Sequence, residues 1–216
     1  MNVENNSFKE ELKNLENNFL KAVPINEFNT HEKELKESDI PKLALNIGDK
    51  MPDFILKNAV GNPINSEDLL DKKWLVLSFY RGQWCPFCQF ELQNLQKNLS
   101  SIENCPARLV AISPQTPDNS LTTKQKNDLT FDVLSDEGSL VGKKFNIVYT
   151  VPNYLEAVFK KIGVDVQYMN GAGNMQLPIP ATYVIDNQGI IRMRFLEVSF
   201  LKRLDPQELV EFMSKN

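Results

Sequence analysis

Trp74-Leu75-Val76-Leu77-Ser78-Phe79-Tyr80 is an apolar run without a single charge. It is far too short for a membrane span, which needs about 20 apolar residues. It also lacks the polar alternation of a half-exposed strand. It therefore predicts a strand buried on both faces. Such a strand needs a helical layer on each side, and the chain downstream supplies one: Leu92, Leu95, Leu99 and Ile102 recur at helical spacing. Arg108 to Ser113 predicts a second buried strand, closed by Pro114.

The same alternation continues. Residues near Thr122 to Asn127 read as helix, Phe131 to Asp136 as strand and turn, Leu140 to Phe145 and Pro152 to Lys161 as short helices. Gly163 to Leu177, with Gly171-Ala172-Gly173, reads as a loop. Ala181 to Asp186 is a strand, turned at Asn187-Gln188-Gly189 into a hairpin with Ile190 to Val198, and Pro206 opens a last helix. Upstream, Asp53 to Leu56 and Pro63-Ile64 flank a turn, and Ser66 to Leu70 reads as a short helix capped by Asn65 or Ser66. The pattern predicts an α/β fold with a mixed central sheet flanked by helices, over residues 46–216. Residues 1–45 form a separate helical arm in this reading. Phe8, Leu12, Leu15 and Phe19 give its first helix one apolar face, and Thr30 to Glu37 make a charged second segment. The arm is expected to pack on the domain or on a second copy, so a homodimer is a possible assembly.

Between the first buried strand and its helix stands Arg81-Gly82-Gln83-Trp84-Cys85-Pro86-Phe87-Cys88. Two thiols three residues apart at a helix start meet unsatisfied backbone N–H groups and the positive end of the peptide dipole. Both favour thiolate, the reactive form. Pro86 suits the first helical position, where no donor is needed. A zinc site would need all three cysteines plus His31, the only histidine, and no second paired cluster accompanies Cys85 and Cys88. Cys105 lies at the far end of the helix, about 25 Å away at helical rise, and reads as structural. Pro180, immediately before a strand, is by itself a boundary signal. Combined with an upstream dithiol it suggests a cis proline that sets the strand's edge against the sulfurs.

The net charge is −4, with 24 basic and 28 acidic side chains and no basic stripe, which argues against nucleic-acid binding. The polar start, Met1 to Ser7, is unlike a secretory signal, and no apolar run spans a membrane, so the expected location is the cytoplasm. There, free thiols are the norm.

Phe79 to Cys88, Ala111-Ile112-Ser113-Pro114-Gln115-Thr116, Val133-Leu134-Ser135-Asp136 and Leu177 through Asp186 together resemble the peroxiredoxin-like AhpC/TSA branch of the thioredoxin superfamily. The resemblance runs from about Ile47 to Met213 and implies a thioredoxin-like fold. Laid on peroxiredoxins, Cys88 matches the peroxide-attacking cysteine and Glu91 the glutamate three residues on. Arg81, Cys85 and Pro180 stand where that branch carries proline, threonine or serine, and an arginine. Laid on thioredoxins, Cys85 is the exposed nucleophile and Cys88 resolves, with Trp84 and Pro180 matching. The buried carboxylate that thioredoxins carry on the preceding strand is absent, Ser78 being the nearest polar residue.

The resemblance implies a thiol-dependent antioxidant enzyme without a cofactor. Cys88 would reduce a hydroperoxide, Cys85 would close a Cys85–Cys88 disulfide, and a thioredoxin-type donor would reopen it. Arg81, or Arg192 or Arg194, could supply the missing positive charge, although each also reads as surface charge. Two alternatives stand beside this: a protein disulfide reductase with Cys85 as nucleophile, and a redox sensor or binding module that does not turn over.

Overall fold

The computed structural model describes residues 7–171 and 173–216; the polar start Met1 to Asn6 and the loop residue Ala172 lie outside the described residues. Two helices open the chain, α1 (Phe8–Ala22) and α2 (Ile25–Glu37), followed by a short turn of helix, α3 (Ile40–Leu43). A hairpin of β1 (Ile55–Asn58) and β2 (Pro63–Asn65) leads through a 3-10 turn to β3 (Trp74–Phe79) and α4 (Pro86–Lys97). Then come α5 (Leu99–Glu103), β4 (Ala107–Ser113), α6 (Pro117–Lys126), β5 (Asp132–Ser135) and α7 (Leu140–Lys144). The chain continues through β6 (Val148–Thr150), α8 (Asn153–Lys161), α9 (Val166–Asn170) and β7 (Gln176–Pro178), and ends with β8 (Ala181–Asp186), β9 (Ile191–Leu196) and α10 (Pro206–Lys215).

Seven strands form one mixed sheet in the order β2-β1-β5-β4-β3-β8-β9. β3 lies inside it, parallel to β4 and antiparallel to β8. Every residue of β3 is buried, as its uncharged run requires. Its side chains alternate between two cores: Trp74 and Val76 face the layer that holds α4, while Leu75, Leu77 and Phe79 pack with Phe145 and Tyr183 on the other side. No helix among the described residues is long and apolar enough to cross a membrane.

Two expectations need correction, and of the two expected caps Asn65 is the one found. The face of Leu92, Leu95, Leu99 and Ile102 is carried by two helices, because the backbone at Asn98 leaves helical geometry (φ −100°, ψ 6°). The segment from Gly163 to Leu177 is not all loop: it contains α9 and β7, and β7 pairs with β6 in a second small sheet. Ser66 precedes the 3-10 turn but does not cap it. Its hydroxyl instead accepts from the Phe54 backbone N–H, and Asn65 Oδ1 accepts from Glu67 N at 3.2 Å.

The arm packs on its own chain. Ser7 and Glu10 form a reciprocal capping box at the start of α1. Leu12, Leu15 and Phe19 of α1 then rest on the core, and Phe28 and Leu35 of α2 are buried in it. Of the two expected partners for the arm, these residues take the domain of their own chain.

Candidate active site

The dithiol sits where β3 hands over to α4. Gly82 makes the turn with φ +152°, and a Cβ there would stand 2.6 Å from the Trp84 indole nitrogen. Glycine is what lets the strand end double back under the Trp84 ring. Cys85 is the N-cap of α4 and Pro86 its first residue. The Cys85 sulfur does a capping oxygen's work: it accepts from the Cys88 backbone N–H at 3.4 Å.

Two arginines converge on the sulfurs. Arg81 Nη2 donates to Cys85 Sγ at 3.0 Å. Arg203, on the segment between β9 and α10, places Nη2 at 3.2 Å from Cys88 Sγ and 3.9 Å from Cys85 Sγ. Glu91 lies one helical turn past Cys88, with Oε2 at 2.7 Å from Arg203 Nε, although the pair is not aligned as a hydrogen bond. Thr182 of β8 donates to the other Glu91 oxygen at 3.3 Å. Each of these side chains is buried.

This arrangement splits the two thiols. Burial pushes Cys85 up, but the hydrogen bond from Cys88 and then the charges of Arg81 and Arg203 more than offset it and hold the thiol well below its ordinary value. Cys88 goes the other way: burial raises it, the neighbouring Cys85 raises it further, and the arginines only partly oppose. The negative charge therefore rests on Cys85. Burial, opposed by Arg203 and reinforced by Cys88, lifts Glu91 to about 7. The buried carboxylate missing from β3 is thus present, delivered from the helix instead.

Both sulfurs are fully enclosed, so the exposed nucleophile of the thioredoxin comparison is not found here. The cover is aromatic. Phe87, between the cysteines, meets Phe19 of α1 and Phe200 edge-on at 5.3 and 5.8 Å, and Phe200 meets Phe28 of α2 at 5.0 Å. The Arg81 guanidinium lies between the Trp84 ring at 5.1 Å and the Phe200 ring at 5.0 Å.

Of the residues singled out from the sequence, Trp84, Cys85, Pro86, Cys88, Glu91 and Arg81 come together. Arg81 is buried, not a surface charge. Pro180 comes close as well: β8 begins opposite Phe79, and Pro180 lines a small cavity with Arg81. It is not cis, as no described peptide bond is. Arg192 and Arg194 do not join. Arg192 pairs with Asp186 at 2.7 Å, and Arg194 reaches the Ala44 and Leu45 carbonyls. Cys105 sits against Val210 and Ser214 of α10, so the three cysteines do not gather into a zinc set. Arg203 escapes the sequence reading, and His31 enters it only as the fourth ligand of a zinc site. Nothing local marks Arg203. His31 does carry a signal, since it falls between Phe28 and Leu35 on the buried stripe of α2.

The AhpC/TSA family pattern matches residues 47–194. A Buchnera aphidicola protein provisionally named peroxiredoxin bcp is 36% identical over 100 residues, 46% of this chain and 63% of that protein, so the match spans less than two thirds of the relative. A Helicobacter pylori protein of the same name is 29% identical over 71% of this chain and 90% of its own. The crystal structure of peroxidoxin BcpB from Mycobacterium tuberculosis superposes with a TM-score of 0.62 at 18% identity, covering 79% of this chain and 97% of that one, which fixes the thioredoxin-like fold. With the family pattern laid over the strand, the dithiol, β8 and most of β9, the chain belongs to the AhpC/TSA family, the peroxiredoxin-like branch of the thioredoxin superfamily.

Proposed function

We propose that the chain is a thiol-dependent peroxidase in which Cys85 is the attacking thiolate and Cys88 the resolving thiol. The observation that carries this is the geometry at Cys85 Sγ, which accepts from Arg81 Nη2 at 3.0 Å and from the Cys88 backbone N–H at 3.4 Å; both donors favour the thiolate on Cys85, in the direction its lowered proton affinity also points. The family register implies the opposite order, with Cys88 leading. The charge distribution favours Cys85 because a thiolate, not a thiol, attacks peroxide. The Cys85 sulfur takes the terminal oxygen of the hydroperoxide and the oxygen–oxygen bond breaks, giving an alcohol or water and a sulfenate. Cys88 then attacks the oxidised sulfur, closing the Cys85–Cys88 disulfide and releasing hydroxide. An external dithiol of the thioredoxin type returns both thiols, in a cytoplasmic setting where such donors are kept reduced. Full enclosure of both sulfurs favours the smallest oxidant, a hydroperoxide, in the reduced state, and reduction by a protein dithiol then requires the aromatic cover to open. Residues 46–216 form the catalytic domain of this reading and residues 1–45 its cover.

The test is the rate of hydrogen peroxide with the reduced protein, for wild type, Cys85→Ser and Cys88→Ser, with mass spectrometry of the products. Cys85→Ser is expected to lose the fast reaction, and Cys88→Ser to keep one turnover and accumulate sulfenic acid on Cys85. Sulfenic acid on Cys88 in the Cys85→Ser protein would move the attack to Cys88. A wild-type rate no better than a free thiolate would overturn the peroxidase reading.

A further inference from the structure

His31 is the buried polar residue that this chemistry leaves unexplained. It comes from α2, outside the stretch that matches the family. Its ring packs on Tyr149 at 4.7 Å between centroids. Neither of its nitrogens has a hydrogen-bond partner among the described residues, although both are out of reach of solvent. Arg81 Nε is buried and unpartnered in the same way. Native folds rarely leave such groups unpaired.

His31 and Arg81 border one small cavity between α2 and the start of β8. Its volume is about 10 Å³, the room that a single water takes. Neither cysteine borders it. Glu32 does, but Lys36 engages its carboxylate at 2.6 Å. The rest of the wall is aromatic or aliphatic. A buried water is kept only where two or more polar groups hold it, and here the two groups match in kind. An arginine Nε–H can only donate. Burial, and after it the Arg81 charge, lower His31 to about 4 against the pull of Glu34, so near neutrality its ring is uncharged and one nitrogen accepts. A water between them accepts from the guanidinium and donates to the imidazole.

The far end of the same guanidinium is at the reaction. Arg81 Nη2 donates to Cys85 Sγ at 3.0 Å, and the rings of Trp84 and Phe200 lie against its faces. Two rings keep a guanidinium in a plane without fixing where in that plane it sits, and a partner on Nε fixes it. We infer that the cavity is a binding site for one water molecule, which bridges His31 to Arg81 Nε, and that His31 is thereby a positioning residue, holding the guanidinium where it keeps Cys85 ionised. The inference goes beyond the peroxidase reading, because it concerns the charge on Cys85 and not what Cys85 attacks. The other groups that face Cys85 are Arg203, Cys88 and Tyr149, and every variant below keeps them.

The test uses the reduced full-length protein as wild type, His31→Phe, His31→Leu and His31→Gln, with circular dichroism to monitor folding. One measurement is the nuclear Overhauser contact between water and the Arg81 Nε–H, assigned as the signal lost in Arg81→Lys. The other is the pH titration of the Cys85 thiolate by its ultraviolet absorbance, taken as the difference from the same protein carrying Cys85→Ser. Wild type is expected to show the water contact. His31→Phe, whose ring fills the cavity, is expected to lose it and to titrate about one pH unit higher, a tenfold fall in thiolate below the midpoint, which is about what one hydrogen bond to a charged group is worth. His31→Gln, whose amide oxygen still accepts, is expected to restore most of both. If His31→Phe fails to fold, the smaller His31→Leu is read in its place. A folded wild type without the water contact overturns the water site. A folded His31→Phe or His31→Leu that titrates with wild type, or that stays ionised down to the pH at which it unfolds, overturns the positioning role. Either result leaves the peroxidase reading standing, and a wild type slow with hydroperoxide overturns that reading while leaving both measurements to decide this one.

Discussion

Replacing Arg81 by methionine removes the charge that holds Cys85 ionised while keeping most of the side-chain volume between Trp84 and Phe200. At the observed 3.0 Å between Arg81 Nη2 and Cys85 Sγ, two unit charges attract by about 5 kcal/mol at the effective dielectric of about 20 that suits protein sites. The loss will be smaller than that. Arg203 remains 3.9 Å from the same sulfur, and the Cys88 backbone N–H still points at it. With about half of the attraction recovered in this way, some 2–3 kcal/mol is lost, about a 30- to 150-fold fall in thiolate population wherever ionisation is incomplete. The assay is the rate of hydrogen peroxide with the reduced protein followed from pH 5 to 9, with peptide mass reading oxidation at Cys85 separately from Cys88 and Cys105. Wild-type Cys85 is expected to react at a nearly constant rate down to mildly acid pH. In Arg81→Met the rate should climb steeply with pH and fall at least tenfold below wild type at neutrality, while Arg81→Lys recovers part of it. If Arg81→Met leaves the Cys85 profile unmoved and the protein is folded, the arginine is not what ionises the sulfur, and the assignment of roles to the two cysteines falls.

Two further outcomes follow from the same geometry. Glu91 binds its proton more tightly in the fold, at about 7, than the ordinary 4.5, so its contribution to stability is greatest below 4.5 and falls, by about 2–3 kcal/mol in all, as pH rises to 7. His31, lowered to about 4 from 6.5, acts with the opposite sign and favours the fold as pH rises through that window. With Cys85, ionised in the fold, also favouring the fold as pH rises, denaturant unfolding between pH 4.5 and 6.5 should rise less steeply with pH in wild type than in Glu91→Gln, and parallel curves would refute the reading of Glu91. Phe200→Ala should cost about 3–5 kcal/mol, as for other buried phenylalanines, and should let an aromatic disulfide reagent reach the site thiols without denaturant. An unchanged reaction rate of the folded variant would show that the ring is not part of the cover.

What the sequence disclosed was local. The uncharged run of β3, the turn glycine, Cys85 at a helix start with Pro86 behind it, and the hairpin of β8 and β9 are each encoded within a few consecutive residues, and each is found in place. Glu91 was visible through the family resemblance, as the glutamate three residues after Cys88, and the helix carries it one turn past that sulfur. Arg203 was hidden because it is 115 residues from Cys88 and reaches the sulfur only through the packing of the segment after β9. Trp74 to Phe79 also gave no hint that the buried carboxylate would come from the helix. Arg81 was misjudged for a related reason: an arginine after a strand reads as solvated, and only the rings of Trp84 and Phe200 closing on it bury it. Beyond the zinc count, His31 was passed over among the charges of α2, although it keeps step with Phe28 and Leu35. The surrounding glutamates and lysines mask a stripe that its spacing alone defines.

The aromatic cover has an implication for how the protein is made. Phe19 and Phe28 are translated before the dithiol and Phe200 long after it, so no partial chain carries the shielded pair. Until the last segment has emerged and folded back, a nascent chain lacks both the Phe200 ring and Arg203, so its thiols are uncovered and only partly activated. Loss of either end removes part of the cover over the dithiol in the finished molecule. Integrity of the two termini thereby governs what the sulfurs are allowed to meet.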